Sequence, residues 1–328
     1  MVNIKDVAEY ANLSVATVSR FLNQKGYISE QSKQKIEEAI QALNYKPNHI
    51  ARSLSKKQSK LIGLIVPDIK NPYFPQLARA IEDTALEYDY TIILCNTDGT
   101  MEKEKLYIDR LTQNYVAGLL VATNSLETSF YQAINIPFVA LDRLMEPNIP
   151  SVVTDNFGGA KKGTEYLIEC GAKNILCLRG PHGIKTADER EKGFYAAINA
   201  YNMIAQTVVA GFDFNEAGKA VEQAIQKDPS IDGIFASSDA AAIAAIKTIQ
   251  VLQKQVPEHI QVVGFDGIEL GTMISPELTT VCQDIYQIGK YATTMLIDQI
   301  EGKPLKEKTI VVETNLIVRG TTRKEATI

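Results

Sequence analysis

The sequence predicts a small all-α head that contains a helix-turn-helix, followed by an α/β body of two doubly wound, mostly parallel sheets. Apolar residues repeat with helical spacing near the N-terminus, and strands alternate with helices twice over from Leu61 onward. Charge divides unevenly between these parts: residues 1–60 hold ten Lys and Arg against five Asp and Glu, and the remainder holds 24 against 34. At 328 residues the chain exceeds one typical domain, so a separate head and body are expected.

The first helix of the head is predicted to begin near Ile4. Asn3 precedes it, and an Asn side chain at this position accepts a hydrogen bond from a free amide of the first turn. The apolar residues that follow are spaced i, i+3, i+4 and i+7, which is one face of a helix. They are Ile4, Val7, Ala8 and Ala11.

A short turn, 12–14, separates this helix from a second one over Val15–Leu22. Asn12 tolerates a left-handed turn and Ser14 can cap the second helix, which turns Val15, Val18 and Leu22 toward a core. A third helix is predicted from Glu30 to Leu43, capped by Ser29, with four apolar residues facing inward. They are Ile36, Ala39, Ile40 and Leu43.

Two short helices around a tight turn, braced by a third, are typical of a helix-turn-helix, whose second helix enters the major groove of DNA. The other face of the second helix carries small polar side chains and one Arg, which pairs well with guanine. These residues are Ala16, Thr17, Ser19 and Arg20. The alternative is a plain packing module with a solvated face, but the basic charge of the head favours DNA.

The segment 47–60 is basic and contains one isolated apolar side chain, Leu54. A single helix of this length is unstable alone. It is therefore either a flexible tether or a hinge that folds against DNA and a second copy of itself.

In the body, from Leu61 onward, strands alternate with helices in two successive series. This pattern predicts two mostly parallel sheets. Its predicted strands are Leu61–Ile69, Tyr90–Cys95, Val116–Ala122, Pro137–Asp142, Asn174–Arg179, 207–211, 233–237, 260–265, Leu278–Val281 and Thr309–Val318. Its predicted helices are Phe74–Glu87, Met101–Gln113, a short one between the strands that end at Ala122 and begin at Pro137, then 158–170, 188–201, 215–226, 240–253 and 286–300.

Polar and aromatic residues follow the ends of these strands, where ligands of such sheets bind. They include Asn71, Phe74, Asp142, Arg143, Thr186, Arg190, Phe214, Ser238, Asp266 and Gln283. Carboxylates, amides and aromatic rings suit a polyhydroxylated ligand, because each hydroxyl donates and accepts while the C–H faces of a sugar pack on rings. Taken singly, each residue could be an ordinary helix cap or core residue.

The sequence offers little support for an enzyme or for a metal-binding protein. The three histidines lie far apart, and no nucleophile has a predictable His and Asp partner. Four scattered cysteines without CxxC spacing indicate reduced thiols rather than a metal site. No secretory signal or membrane-spanning run is present, so we expect a cytoplasmic protein with no cofactor and no metal.

The head sequence IKDVAEYANLSVATVSRFLN, followed by NYKPNHIARSL and LIGLIVPDIKNPYF, resembles the LacI/GalR family of bacterial transcription regulators over essentially the whole chain. The motifs NPYF, LDR, REKGF and GFDG most resemble its ribose-responsive members. The resemblance implies a homodimer on near-palindromic operator DNA. It implies base contacts from Val15, Ala16 and Arg20. It also implies that Leu54 inserts into the minor groove, with Arg52 and Ser53 flanking the inserted residue in the expected interface. The expected DNA-binding set is completed by Thr17, Ser19 and Asn23.

For the effector, the resemblance places pentose contacts at Asn71, Phe74, Asp142, Arg143, Arg190, Phe214, Asp266 and Gln283. Ser238 stands where the ribose-type pattern has Asn, so a different sugar or a bridging water is open. Purine-responsive members share Tyr73, Phe74, Thr186 and Arg190, which leaves a purine open. Some members respond to a phosphorylated carrier protein, and nothing in the sequence decides this.

We therefore expect a transcriptional repressor of a carbohydrate operon, controlled by a small sugar, most consistent with ribose, rather than a sugar-binding or sugar-converting protein without DNA function. The expected domains are the head over 1–46, the hinge over 47–60 and the effector-binding and dimerisation body over 61–328. Within the body, one lobe is expected to comprise 61–157 with 284–308, and the other 158–283 with 309–328.

Overall fold

A computed structural model describes residues 2–22, 26–45, 59–123, 125–142, 149–211 and 214–323. The chain divides into two compact units, Met1–Ser59 and Lys60–Ile328. The predicted hinge lies almost wholly outside the described residues. Of the predicted site residues, Asn23, Arg52, Ser53, Leu54 and Arg143 also lie outside them.

The smaller unit contains three helices, α1 (Ile4–Tyr10), α2 (Val15–Leu22) and α3 (Glu30–Ala42). Asn3 caps α1 through its side chain, which accepts from the backbone N of Lys5 at 2.8 Å, while Asp6 accepts from the backbone N of Asn3 at 2.7 Å. Ser14 caps α2, accepting from the backbone N of Thr17 at 3.1 Å. Ser29 caps α3 as predicted.

The helices of the head enclose one small core, whose buried members are Val7, Ala8, Ala11, Val18, Ile36, Ala39 and Tyr45. The left-handed φ of 52° at Asn12 makes the sharp turn between α1 and α2. The inward orientation predicted for Val15 is wrong, because Val15 is 42% exposed and Val18 is the first residue of α2 in the buried core. Leu22 is half-buried against the core.

The larger unit contains two six-stranded sheets. The strands are β1 (Leu61–Val66), β2 (Thr91–Asn96), β3 (Gly118–Val121), β4 (Phe138–Leu141), β5 (Ser151–Thr154), β6 (Ile175–Arg179), β7 (Ala205–Val209), β8 (Gly233–Ala236), β9 (Gln261–Asp266), β10 (Thr279–Gln283), β11 (Thr309–Val312) and β12 (Thr314–Ile317). The helices are α4 (Tyr73–Glu87), α5 (Met101–Gln113), α6 (Thr128–Gln132), α7 (Asn156–Glu169), α8 (Lys185–Ala200), α9 (Phe214–Lys227), α10 (Asp239–Val251) and α11 (Ile285–Ile300), with a 3₁₀ turn at Glu269–Thr272.

The first sheet has the strand order β11-β5-β4-β3-β1-β2, and the second has the order β12-β10-β9-β8-β6-β7. All described pairings are parallel except β10 with β12, which is antiparallel. This topology confirms the predicted fold class. Buried aliphatic residues such as Ile62, Leu64 and Leu120 in the first sheet and Leu176 and Ile234 in the second form the core beneath the helices.

One expectation about an individual strand is wrong, and one strand is missing from the prediction. The predicted single strand over 309–318 is two strands in different sheets: β11 pairs with β5 and β12 pairs with β10, with Glu313 alone between them. Residues 309–312 therefore lie in the first sheet, not with the second lobe. Strand β5 was not predicted, because four residues of SVVT form too short a run to stand out.

The chain crosses between the sheets at three places in the described residues: after β5, after β10 and between β11 and β12. These crossings place the carboxyl ends of both sheets on opposite sides of one cleft, and that cleft is where the predicted polar residues gather.

Candidate functional site

A cavity of about 810 Å³ opens between the carboxyl ends of the two sheets. A volume of this size is within the usual range for small-molecule sites. Of the predicted effector residues, the described ones that line it are Asn71, Phe74, Asp142, Thr186, Arg190, Phe214 and Asp266. Side chains from both lobes thus face one space, as an open α/β topology requires.

The first lobe contributes the start of α4. Just before α4, the Oδ1 of Asn71 accepts a hydrogen bond from the backbone N of Tyr73 at 3.1 Å. Phe74, in the first turn of α4, lines the cavity. The rings of Tyr73 and Phe74 meet edge to face, 5.2 Å apart. The hydroxyl of Tyr73 is buried without a hydrogen-bond partner in the described part of the chain. Burial raises the pKa of this hydroxyl, and the carboxylates of Asp142 and Asp266 add to the rise.

Asp142 follows β4 and takes a left-handed φ of 52°. Its Oδ1 is buried and has no hydrogen-bond partner among the residues that the structure describes. Burial raises the pKa of this carboxyl, while Arg190 and Asn156 act in the opposite direction. A buried oxygen without a donor is costly, so a ligand hydroxyl at this point would satisfy it.

Arg190 is the central cation of the site, and it is 4% exposed. Its Nε donates to Oδ1 of Asn156 at 2.7 Å, and its Nη1 donates to the carbonyl of Ser237 at 2.6 Å and to Oδ1 of Asp266 at 3.1 Å. The guanidinium carbon lies 3.8 Å from the ring centroid of Phe265. Three hydrogen-bond acceptors and the ring of Phe265 thus hold the guanidinium in one orientation, which fixes the direction of its remaining nitrogen, Nη2.

Asp266 ends β9 and has a φ of 122°, a conformation that only tight local bonding holds in a residue with a Cβ. That bonding comes from Asp239, whose Oδ2 accepts from the backbone N atoms of Gly267 at 2.7 Å and Ile268 at 2.8 Å. Thr280 donates to the other oxygen of Asp239. Burial raises the pKa of Asp239, and these three hydrogen bonds oppose the rise.

Thr186 and Phe214 complete the wall of the second lobe. Thr186 lies in the first turn of α8, and Phe214 begins α9 with its ring 37% exposed. The ammonium of Lys247 lies 5.3 Å from the Phe214 ring centroid. An exposed ring at a cavity edge is suited to packing on an incoming ligand.

Two predicted residues do not line the cavity. Ser238 is buried and caps α10, its Oγ accepting from the backbone N of Ala241 at 3.2 Å. Gln283 is also buried, and its amide lies behind Asp266, to whose Oδ1 its Nε2 donates at 2.7 Å. Sequence position placed both at strand ends, but it could not show which way their side chains turn.

Sequence reasoning missed Thr154 and Asn156, which hold Gln283 and Arg190 in place. Both flank the crossing after β5, and recognising that strand would have drawn attention to them. Tyr73 was not among the expected sugar contacts, although it lines the same cavity as Asp142 and its hydroxyl is buried there.

A buried cation behind the cavity braces the second lobe. Arg179, 3% exposed at the end of β6, pairs with Asp188 and Glu191 of α8. It also donates to the carbonyls of Gly180 and Pro181 in the loop that leads to α8. One side chain therefore ties the strand, the loop and the helix that carries Arg190.

On the head, the outer face of α2 is open to solvent. Val15, Ala16 and Arg20 are exposed, whereas Thr17 and Ser19 are half-buried. The hydroxyls of Thr17 and Ser14 lie 2.8 Å apart, which fixes the first turn of the helix. The exposed residues are the ones expected to meet DNA bases.

Within the described part of the chain, no helix is long and apolar enough to cross a membrane. No group of three or more His, Cys, Asp or Glu side chains with the arrangement of a metal site occurs there either. The four cysteines are free thiols.

Comparison with known proteins gives two family matches. Residues 3–48 match the family described as bacterial regulatory proteins, lacI family, and residues 59–319 match periplasmic binding proteins and sugar binding domain of LacI family. A ribose operon repressor from Halalkalibacterium halodurans is 47% identical over 323 residues, covering 98% of each chain.

Two solved structures are similar over long stretches. The Lac repressor dimer bound to operator and the anti-inducer ONPF has a TM-score of 0.89 and 26% identity, covering 98% of this chain and 99% of that chain. A LacI family transcriptional regulator from Enterococcus faecium with bound ribose has a TM-score of 0.74 and 26% identity, covering 80% of this chain and 98% of that chain.

Proposed function

The chain belongs to the LacI family of bacterial regulatory proteins, and from this we propose that it is a repressor of a ribose-utilisation operon. It binds operator DNA as a homodimer through α2 and the hinge, and it releases the operator when ribose occupies the cavity of the larger unit. Its place of action is the cytoplasm, and its role is regulation rather than catalysis.

The observation that most supports a sugar effector is the buried Oδ1 of Asp142, which has no hydrogen-bond partner among the described residues. The fixed pair of Arg190 and Asp266 lines the same cavity. A sugar hydroxyl donates to carboxylates and accepts from a guanidinium in the same small space. Phe74 and Phe214 supply rings on either lobe for the C–H faces of the sugar ring.

The choice of ribose rests on its relatives. The repressor from Halalkalibacterium halodurans is named for the ribose operon, and the Enterococcus faecium regulator holds ribose. Ser238, which differs from the ribose-type pattern, caps α10 instead of lining the cavity. The difference is therefore compatible with the same ligand.

The decisive experiment measures operator binding and sugar binding together. Fluorescence anisotropy follows the intact protein on DNA from upstream of its own gene, with ribose, other pentoses, hexoses or purines added. Calorimetry then gives the dissociation constant of each ligand. We expect ribose to bind and to weaken operator binding. Operator binding that no sugar changes would contradict the proposal.

A purine effector is the second candidate, because Tyr73, Phe74, Thr186 and Arg190 all line the cavity. Release or tightening of the operator by a purine base and not by ribose would select it. A phosphorylated carrier protein as a further partner is tested in the same assay, as a change in operator affinity when the carrier is added with ribose held constant.

A further inference from the structure

Five buried residues at the wall of the cavity form a closed ring of hydrogen bonds. Thr154 Oγ1 donates to Oε1 of Gln283 at 2.6 Å, and Gln283 Nε2 donates to Oδ1 of Asp266 at 2.7 Å. Arg190 donates to that same Oδ1 and, through Nε, to Asn156. Asn156 Nδ2 closes the ring on the carbonyl of Thr154 at 3.1 Å.

The direction of every bond in this ring is fixed by two of its members. Arg190 can only donate and the carboxylate of Asp266 can only accept. The Asn156 amide must therefore turn its oxygen to Arg190, and the Gln283 amide must turn its nitrogen to Asp266. The oxygen of Gln283 then needs a donor, and the hydroxyl of Thr154 supplies it.

The ring also joins the two sheets. Thr154 is the last residue of β5 in the first sheet, whereas Gln283 and Asp266 end β10 and β9 in the second. Thr154 and Asn156 flank the first crossing between the sheets, and Gln283 stands at the second. The position of Asp266 is thus tied to the position of the first sheet.

Asp266 uses one oxygen for this ring and keeps the other for the cavity. Both hydrogen bonds that it accepts from described residues end on Oδ1. Its carboxylate lines the cavity, so Oδ2 is the atom left for a ligand hydroxyl. Any rotation of the carboxylate would break a bond in the ring.

We propose that Thr154 is a positioning residue for the effector site: its hydroxyl orients the Gln283 amide, and through it the Asp266 carboxylate that receives the sugar. Thr154 itself is not among the residues that line the cavity. This inference rests on the proposed function, because it gives Thr154 control over the geometry of the proposed sugar site. It also links that site to the crossing between the sheets.

The test compares Thr154→Val, which keeps the shape and removes the donor, with Thr154→Ser, which keeps the donor. Calorimetry with ribose on the full-length protein should give about tenfold weaker binding for Thr154→Val, since loss of one buried hydrogen bond typically has an effect of this size. Thr154→Ser should bind within about twofold of the original protein. Thermal unfolding without sugar shows whether each variant is folded.

A double-mutant cycle with Gln283→Met separates positioning from a general structural role. If Thr154 acts through Gln283, then Thr154→Val has no further effect on ribose affinity in the Gln283→Met protein. An equal loss in both backgrounds would overturn the inference, as would unchanged affinity in Thr154→Val. Should Thr154→Val fail to fold, Thr154→Cys makes the same comparison with a weak donor.

The outcome for the original protein separates this inference from the proposed function. If that protein binds no ribose, the proposed function is wrong and the inference fails with it. If it binds ribose and Thr154→Val binds equally well, the inference alone is wrong.

Discussion

Asp266 is the residue on which we expect the proposed sugar response to depend most directly. Its backbone is held in an unusual conformation by Asp239, and its side chain is held by Arg190 and Gln283. Several buried polar groups thus hold this one carboxylate in place. Such an arrangement reduces the reorganisation needed when a ligand binds.

Asp266→Asn should weaken ribose binding by about tenfold to a hundredfold, because a hydrogen bond to a charged group is replaced by one to a neutral amide. Operator binding in the absence of sugar should persist, so the variant would repress but no longer respond. Calorimetry and operator anisotropy measure the two effects. A variant released from the operator at the original ribose concentration would remove Asp266 from the site. Glu269→Gln, an exposed acid nearby in the chain, is the matched control.

Acidification should weaken ribose binding. Burial raises the pKa of Asp266 to about 6, with Asp142 adding to the rise and Arg190 opposing it. The ionised form that accepts sugar hydroxyls is therefore lost as the pH falls through that value. Ribose affinity measured at about pH 7.5 should exceed that at about pH 5.5, and Asp266→Asn should lose most of this dependence.

The stability of the ligand-free protein should respond in the opposite sense. A carboxyl whose pKa is raised on folding takes up its proton at higher pH in the folded state than in the unfolded state. Its contribution to the free energy of unfolding therefore increases as the pH falls toward 6 and below.

For the binding prediction, a ribose affinity that is the same at both pH values would show that neither Asp266 nor Asp142 must be ionised.

Among the elements, α2 carries the face that we expect to read the operator sequence. Its inner side is anchored by Val18, and its outer side exposes Ala16 and Arg20. Arg20→Ala should reduce operator affinity by about 1–3 kcal/mol if the side chain pairs with guanine. Anisotropy at fixed salt on operator and on random DNA measures this. An equal loss on both DNAs would indicate a phosphate contact, and no loss would place Arg20 off the interface.

Helix α8 depends on Arg179 for its position. The guanidinium is buried, whereas Asp188 and Glu191 are partly open to solvent, so the bonds to the loop carbonyls matter as much as the ion pairs. Arg179→Met should lower the free energy of unfolding by about 2 kcal/mol and also weaken ribose binding. Arg179→Lys keeps the charge but not the fork, and it should rescue only part of the loss.

Denaturant unfolding and calorimetry provide the two readouts for these Arg179 variants. A loss of stability with unchanged ribose affinity would show that Arg179 braces the lobe without positioning the helix that carries Arg190.

Much of this architecture could be predicted from sequence, because long buried strands such as β1 and amphipathic helices such as α4 have clear periodicity. The exceptions have physical reasons. Strand β5 is too short to show a pattern, and the apolar run over 309–318 gives no sign that Glu313 separates two sheets. At the site, strand-end position identified Asp142 and Asp266 but could not distinguish Gln283, which faces a carboxylate, from residues that face the cavity.

For the molecule as a whole, ligand binding and folding are linked. The cavity belongs entirely to the larger unit, Lys60–Ile328. Ribose at about 100 times its dissociation constant should add about 2.7 kcal/mol to the apparent stability of that unit. Differential scanning calorimetry should show the unfolding transition of the larger unit move to higher temperature. A sugar that leaves this transition in place at such a concentration is not the effector.

The three crossings between the sheets have a further consequence for biosynthesis. Neither sheet is encoded by one continuous stretch: the first needs β11 and the second needs β12, and both strands lie near the C-terminus. A nascent chain that has reached only α11 therefore carries two sheets with unfilled edges, which are open to wrong pairing. We expect chains truncated before Thr309 to aggregate or to be degraded. Neither lobe of the proposed effector site should fold stably in the cell until the last strands have been synthesised.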